Sequence, residues 1–186
     1  MSNTVRMAIN DALTEMLPVT MNTQAARLMM LVIQKQEDPE ERRYQVVRRV
    51  DGTLPKNIVG PKTAKGPARG LWQFEAGGGI HGVLTHKKTR DHIRVICDHY
   101  NVPATATACW EAIENNDVLA ACFARLLLWS DPLPLPKINE PESAWDLYLR
   151  TWRPGAYTNG DAAKRAELRT KFLKNHAAAR VEMGIQ

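Results

Sequence analysis

A stretch near the N-terminus strongly limits how this chain can fold. Residues 24–37 read QAARLMMLVIQKQE and contain neither glycine nor proline. Apolar side chains recur in this stretch at the spacing of a helix that buries one face. Asn22 or Thr23 can cap the beginning of this helix, and Pro39 disfavours helical geometry at the residue before it. The sequence therefore predicts an amphipathic helix that ends near Glu37.

The rest of the pattern predicts a mainly α fold with a single domain over residues 1–186, since 44% hydrophobic content in 186 residues is enough for one core. Asn116 or Asp117 is the expected cap of one further helix. Glycine and proline recur between residues 50 and 70, which predicts loops or a short irregular hairpin there. The other segments with helical periodicity are 4–17, 87–100, 105–114, 117–129, 145–152 and 161–183.

Glu37 continues the apolar face of the predicted helix, where a charged side chain is not expected. A carboxylate beside an apolar surface loses hydration, so its pKa rises toward the range of a proton donor. The position therefore predicts a general acid. The alternative is a glutamate at a helix end that reaches solvent or pairs with Arg42 or Arg43. The residues that share the face are Ala26, Met29, Met30 and Ile33.

A second segment, GPARGLWQFEAGGG at residues 66–79, bears on the interpretation of Glu37. A helix ending in Glu, then a polar loop, then GLWQ resembles the lysozyme-like superfamily, especially the soluble lytic transglycosylases and goose-type lysozymes found in phage and prophage proteins. The resemblance covers about residues 25–160. It implies a lysozyme-like fold with an irregular or hairpin excursion between the catalytic helix and GLWQ, and it makes Glu37 the catalytic acid. Asp38 and Trp72 replace the serine and methionine usual in that family.

The resemblance implies an enzyme that cleaves the β-1,4 bond between N-acetylmuramic acid and N-acetylglucosamine in peptidoglycan. Glu75 is the candidate second catalytic carboxylate, because hydrolysis with inversion needs a base that activates water. Lytic transglycosylases use a hydroxyl of the sugar as nucleophile and need only the acid. The sequence therefore leaves open whether the chain is a muramidase or a transglycosylase. Glu75 can alternatively be a helix cap or the partner of Arg69.

Five further residues are predicted to bind the glycan. Trp72 and Gln73 offer ring contact and hydrogen bonds to a sugar. The segment WDLYLRTWRPGAYTNG at residues 145–160 resembles the aromatic segment that backs the catalytic glutamate in lytic transglycosylases. It adds Tyr148, Trp152 and Arg153 as cleft residues. For Trp72 and Tyr148, a place in the core is an equal alternative.

Other site classes find no support in the sequence. Cys97, Cys109 and Cys122 form no CxxC pair, and the histidine spacings do not match HExxH, so no metal site is predicted. The glycine run 77–79 is not followed by GK[ST], and a flexible turn beside the cleft is the better interpretation. No cofactor is expected.

The formal net charge is +5, and the basic residues are concentrated in two places. Residues 42–69 hold eight basic side chains and one acid, and residues 150–186 hold eight and three. Such surfaces favour an anionic partner. The basic C-terminal helix, 161–183, can contact an anionic envelope or pack with a solvated outer face. The alternative function is a non-enzymatic basic protein that binds cell wall or nucleic acid within a virion.

The expected partner of the enzyme is bacterial peptidoglycan. No specific nucleic acid is expected, and a monomer is predicted. The N-terminus lacks the pattern of a signal peptide, and no segment has the length and apolarity of a membrane span. We therefore expect synthesis in the host cytoplasm and action on the cell wall after release or as a virion component.

Overall fold

The computed structural model describes residues 3–46 and 65–185. The helices of these residues are α1 (Asn3–Asp11), α2 (Gln24–Glu37), α3 (His81–Thr85), α4 (Arg90–His99), α5 (Ala106–Ala112), α6 (Asp117–Ser130), α7 (Pro141–Trp152), α8 (Gly155–Thr158) and α9 (Ala162–Glu182); the strands are β1 (Tyr44–Val46) and β2 (Lys65–Arg69). This confirms the mainly α prediction. None of the described helices is both long enough and apolar enough to cross a membrane.

Helix α6 lies at the centre of the core. Every residue from Leu119 to Leu128 is buried, and α1, α2, α4 and α7 all pack against this helix. A helix that is apolar on all sides is expected in such a position. The buried Arg125 donates from Nε to the carbonyl oxygen of Met21 at 2.9 Å. Asn116, one of the two predicted caps, accepts a hydrogen bond from the amide of Leu119 at 2.9 Å.

Helix α2 begins and ends where the sequence predicts. The Thr23 hydroxyl accepts a hydrogen bond from the amide of Ala26 at 3.1 Å and so caps the N-terminus. The apolar face of the helix packs on α6, and another side packs along α9. Because α2 is held on both sides, its last residue, Glu37, has a fixed position at the edge of the core.

Strands β1 and β2 form a small antiparallel sheet between α2 and the GLWQ segment. Tyr44 pairs with Arg69 and Val46 with Lys65, with an irregularity between the two pairs. The two paired strands therefore form the beginning and the end of the predicted irregular or hairpin excursion. Of the loops predicted over residues 50–70, residues 50–64 lie outside the described residues.

Two segments differ from the predicted helix pattern. The first helix ends at Asp11 and continues as a π-helical turn over Ala12–Met16. The glycine run, interpreted from sequence as a turn, belongs to a kinked π-helical turn over Ala76–Ile80 that leads into α3. A Cβ at Gly79 would lie 2.6 Å from Cδ1 of Phe74, so only glycine allows this close packing. The glycine content of residues 77–79 therefore indicated less helical structure than the packing against Phe74 imposes on this segment.

Candidate active site

Glu37 is the last residue of α2 and lines an open cleft. Its side chain is half-buried, and its Oε1 accepts a hydrogen bond from the hydroxyl of Tyr148 on α7 at 2.5 Å. Burial raises the pKa of Glu37 from 4.5 to about 7, while the Tyr148 hydrogen bond and the charge of Lys171 act in the opposite direction. Glu37 therefore keeps its proton to a much higher pH than a solvated glutamate and is about half protonated near neutral pH.

The alternative in which Glu37 pairs with a neighbouring arginine is wrong. Arg43 forms two hydrogen bonds to the carboxylate of Asp117, both at 2.8 Å, and Arg42 pairs with Glu40. Asp38, the residue after Glu37, is buried and accepts from the amides of Arg42 and Arg43 at 3.0 and 2.8 Å. The loop that leaves α2 is thus tied to itself and to α6, which leaves the Glu37 carboxyl to Tyr148 and the cleft.

Tyr148 was predicted either as a cleft residue or as part of the core, and the structure places it in the core. It is only 2% exposed and packs against Trp145 and Phe172, with its hydroxyl on Glu37. Burial, with the nearby Glu37 charge, raises the pKa of its phenol above the usual value, so the hydroxyl remains a donor. The cleft interpretation of Tyr148 is therefore corrected.

The GLWQ segment is a tight loop across the end of β2. Arg69 and Phe74 exchange two backbone hydrogen bonds of 2.9 and 2.8 Å, which close the loop over residues 70–73. Gly70 and Gln73 adopt positive φ values of 71° and 51° within it. This backbone alternates the directions of the side chains, so Trp72 enters the core and Gln73 faces the cleft.

Trp72 is not a cleft residue, contrary to one of the two sequence interpretations. Its side chain is 0% exposed, and Nε1 donates to the carbonyl oxygen of Met30 on α2 at 2.8 Å. Its own carbonyl oxygen accepts from Nε1 of Trp152 on α7 at 3.1 Å. Trp72 therefore connects the helix that carries the acid with the helix that carries Tyr148.

The predicted residues Gln73, Trp152 and Arg153 do line the cleft with Glu37. The amide Nε2 of Gln73 donates to the carbonyl oxygen of Gly70 at 2.9 Å, which fixes the direction of the side chain. Trp152 is half-buried against Phe74, with ring centroids 5.5 Å apart. Arg153 ends α7 in the left-handed conformation, at a φ of 47°, and its guanidinium is exposed.

The cleft has a volume of about 850 Å³, a size suited to more than one sugar ring. The lining includes Glu37, the loop after β2, the glycine run 77–79, residues 130–132, and the end of α7 with the residues after it, 150–156. Two of the lining residues, Arg150 and Asp131, form an ion pair of 3.1 Å. The chemistry available in the cleft is thus one protonated acid, several hydrogen-bonding groups and charged side chains of both signs.

Glu75 lies on the cleft, and it is exposed. Neither alternative role found support: Arg69 pairs with Glu114 at 2.8 Å, and Glu75 makes no side-chain capping bond to the turn that follows it. Within the described part of the chain, Glu75 forms no ion pair. Its position permits contact with water or ligand in the cleft.

The described residues contain no cluster of three or more His, Cys, Asp or Glu side chains that could hold a metal ion. Cys97 and Cys109 are buried with Sγ atoms 3.5 Å apart, and both are free thiols. These two residues lie on α4 and α5, on elements other than those that position Glu37.

Several residues around the site were not identified from sequence. The pair Asp131 and Arg150 is separated by 19 positions, and Lys171 reaches Gln36 across 135 positions. No local motif marks such contacts, because charged side chains on helix surfaces are common. Only the clustering of basic residues in α9 hinted at a role for that helix.

No family model matches this chain, and no curated protein or solved structure gives a match.

Proposed function

We propose that this protein is a lysozyme-like enzyme that cleaves the β-1,4 bond between N-acetylmuramic acid and N-acetylglucosamine in peptidoglycan. One observation carries the proposal: a half-buried glutamate at a helix end opens onto a cleft and has its pKa raised to about 7. A carboxyl of this kind can donate a proton at neutral pH, which is the requirement for leaving-group departure in glycoside cleavage.

Glu37 acts as the general acid in this proposal. The Tyr148 hydroxyl donates to Oε1, so the transferable proton is placed on Oε2. The glycosidic oxygen takes this proton as its bond to the anomeric carbon breaks. The carboxylate that remains keeps the hydrogen bond from Tyr148, which is stronger to a charged acceptor than to a neutral one. Tyr148 therefore stabilises the state of Glu37 that forms during the reaction.

The walls of the cleft supply the contacts that a glycan strand needs. Gln73 offers an amide oxygen, and the Trp152 ring offers an apolar surface in the cleft that Glu37 lines. Arg153 offers a cation for the carboxylates of the muramyl lactyl group or of the peptide stem. No group beyond these side chains is required for the chemistry.

Two reaction outcomes remain within the proposal. In hydrolysis with inversion, Glu75 takes the proton from the attacking water, and carboxyl groups about 6.5–9.5 Å apart leave room for that water. In transglycosylation the sugar's own hydroxyl attacks, and Glu75 only contributes to binding. The exposure of Glu75 favours neither, since a base needs contact with water and a binding residue needs contact with ligand.

Digestion of purified sacculi tests the proposal. Wild-type protein and Glu37→Gln are incubated with sacculi across a range of pH, and released muropeptides are identified by mass. We expect release by the wild type and a loss of about 100-fold or more in the variant. Glu40→Gln is a matched control, because Glu40 is exposed and pairs only with Arg42. A reducing end on the products indicates a muramidase, and an anhydro-muramyl end indicates a transglycosylase.

Absence of release by the wild type under all conditions would contradict the proposal and favour a non-enzymatic binding protein. Salt-sensitive binding to DNA or to cell wall would then support that alternative. Two of the basic residues that would bind an anionic partner in that alternative form ion pairs within the fold: Arg43 pairs with Asp117, and Arg69 pairs with Glu114. Action on the cell wall after phage-induced lysis, or from within a virion, is part of the proposal.

A further inference from the structure

Helix α9 lies outside the segment that resembles lysozymes, yet it packs along α2 more extensively than any other element. Lys171 of α9 donates from Nζ to the carbonyl oxygen of Gln36 at 2.6 Å, and Asn175 donates from Nδ2 to Oε1 of Gln36 at 3.0 Å. Carbonyl groups in the last turn of a helix lack partners within that helix. Lys171 therefore satisfies one of them directly beside Glu37.

A second contact from the same turn of α9 reaches the tyrosine partner of the acid. Phe172, next to Lys171, is fully buried and stacks on the Tyr148 ring with centroids 5.1 Å apart. It also packs against Trp145 at 5.2 Å. Two consecutive residues of α9 thus contact the backbone directly before Glu37 and the ring of Tyr148, the two residues whose side chains meet at 2.5 Å.

The charge of Lys171 also acts on Glu37. It is the cation whose field lowers the pKa of Glu37 against the larger effect of burial, and Tyr148 lowers it by hydrogen bonding. Of the other charged groups around the site, Asp38 is bound to the amides of Arg42 and Arg43, and Arg150 pairs with Asp131. A cation near the negative end of a helix is in a favourable position. Among the described residues of α9, Lys171 is the cation whose charge lowers the pKa of Glu37.

We propose that Lys171 is a positioning residue for Glu37: it anchors the last turn of α2 through the Gln36 carbonyl oxygen and places a positive charge near the carboxyl. This inference rests on the proposed function for its catalytic consequence. It assigns α9 to the active site, in place of the envelope contact considered from the basic sequence of that helix. Lys171 as a whole is exposed, and its ammonium group nevertheless donates to the carbonyl oxygen of Gln36.

Lys171→Met tests this inference, because it keeps the length of the apolar stem and removes the charge. Lys174→Met is the control, since Lys174 is exposed on the same helix and forms no ion pair among the described residues. Lys171→Arg is the conservative variant that should retain the effect. The Glu37 carboxyl is titrated by NMR with ¹³C-labelled glutamate, and Glu37→Gln assigns its signal. The pH dependence of kcat and KM is measured on sacculi.

We expect Lys171→Met to raise the pKa of Glu37 by about half a pH unit, as for one partly screened charge nearby. The alkaline limb of the pH profile should move upward by the same amount, with kcat reduced about three- to tenfold and KM little changed. Lys174→Met should match the wild type, and Lys171→Arg should restore the pH profile.

An unchanged Glu37 titration in Lys171→Met, equal to that of Lys174→Met, would overturn the inference and leave the proposed function standing. The opposite result is a shifted Glu37 titration in Lys171→Met while the wild type releases no muropeptides. In that case the effect of Lys171 on the pKa of Glu37 holds, and the proposed function fails. Should Lys171→Met not fold, Lys171→Gln compared with Lys171→Arg gives the same decision, because only the first of these removes the charge.

Discussion

Glu37→Gln is expected to make the protein more stable above neutral pH while it removes glycan cleavage. The amide preserves the size of the side chain and an oxygen that accepts the 2.5 Å hydrogen bond from Tyr148. It does not ionise. In the wild type, burial raises the pKa of Glu37 from 4.5 to about 7, so the folded protein binds this proton more tightly than the unfolded chain.

The sign and size of the effect follow from that difference. Stability contributed by the protonated Glu37 is complete below pH 4.5, declines as the pH rises, and is lost above the folded pKa of about 7. At about 1.4 kcal/mol per pKa unit, the shift corresponds to about 3 kcal/mol. The free energy of unfolding of Glu37→Gln, relative to the wild type, should therefore increase by about 3 kcal/mol between pH 4 and pH 9. For a chain of this length, that is roughly 6–12 °C in Tm.

Urea unfolding followed by tryptophan fluorescence at a series of pH values measures this difference. Other buried groups with shifted pKa values, such as Asp38 and His176, are present in both proteins, so their contributions cancel. A difference between the two proteins that stays constant from pH 4 to pH 9 would refute the reasoning, because Glu37 would then ionise in the fold as it does in water. Increased stability together with lost cleavage is the result expected for a residue kept for catalysis.

Three further substitutions separate the roles of the neighbouring residues. Tyr148→Phe removes the donor to Glu37, so the alkaline limb of the pH profile should move upward and kcat should fall about tenfold, as measured on sacculi. Trp72→Phe removes the hydrogen bond from the indole to the Met30 carbonyl oxygen and part of a fully buried side chain. It should lower the free energy of unfolding by about 1–3 kcal/mol in urea titrations, with KM little changed. A large rise in KM at unchanged stability would contradict the buried position of Trp72. Glu75→Gln should abolish products with a reducing end if Glu75 is the base, and mass analysis that finds the same products at the same rate would exclude that role.

Helix α2 was predictable because all its determinants are local. The cap at Thr23, the unbroken apolar face and Pro39 are all within one short segment, and each favours the same boundaries. The raised pKa of Glu37 follows from the same pattern, since a residue on the buried face of a helix end has little access to water. The strands at the two ends of the excursion were also indicated, as an irregular hairpin.

The directions of the side chains in the GLWQ loop could not be predicted in the same way. Trp72 and Gln73 are consecutive and both suit a sugar-binding wall, and the positive φ at Gln73 decides which of them faces the cleft. Tyr148 was placed in the right neighbourhood, while its contact with the acid depends on the packing of α7 against the core. Side-chain direction in an irregular loop has no period, so a sequence pattern cannot specify it.

By itself, the sequence determined the mainly helical fold, the position of Glu37 at a helix terminus and its apolar surroundings. These are consequences of spacing within single segments, where hydrogen bonding and burial act over a few residues. Tertiary structure alone decided which groups meet the acid: Tyr148 from α7 and Lys171 from α9, more than a hundred positions away. Contacts across such separations arise when helices pack together, and the packing depends on the shapes of whole faces rather than on any local motif.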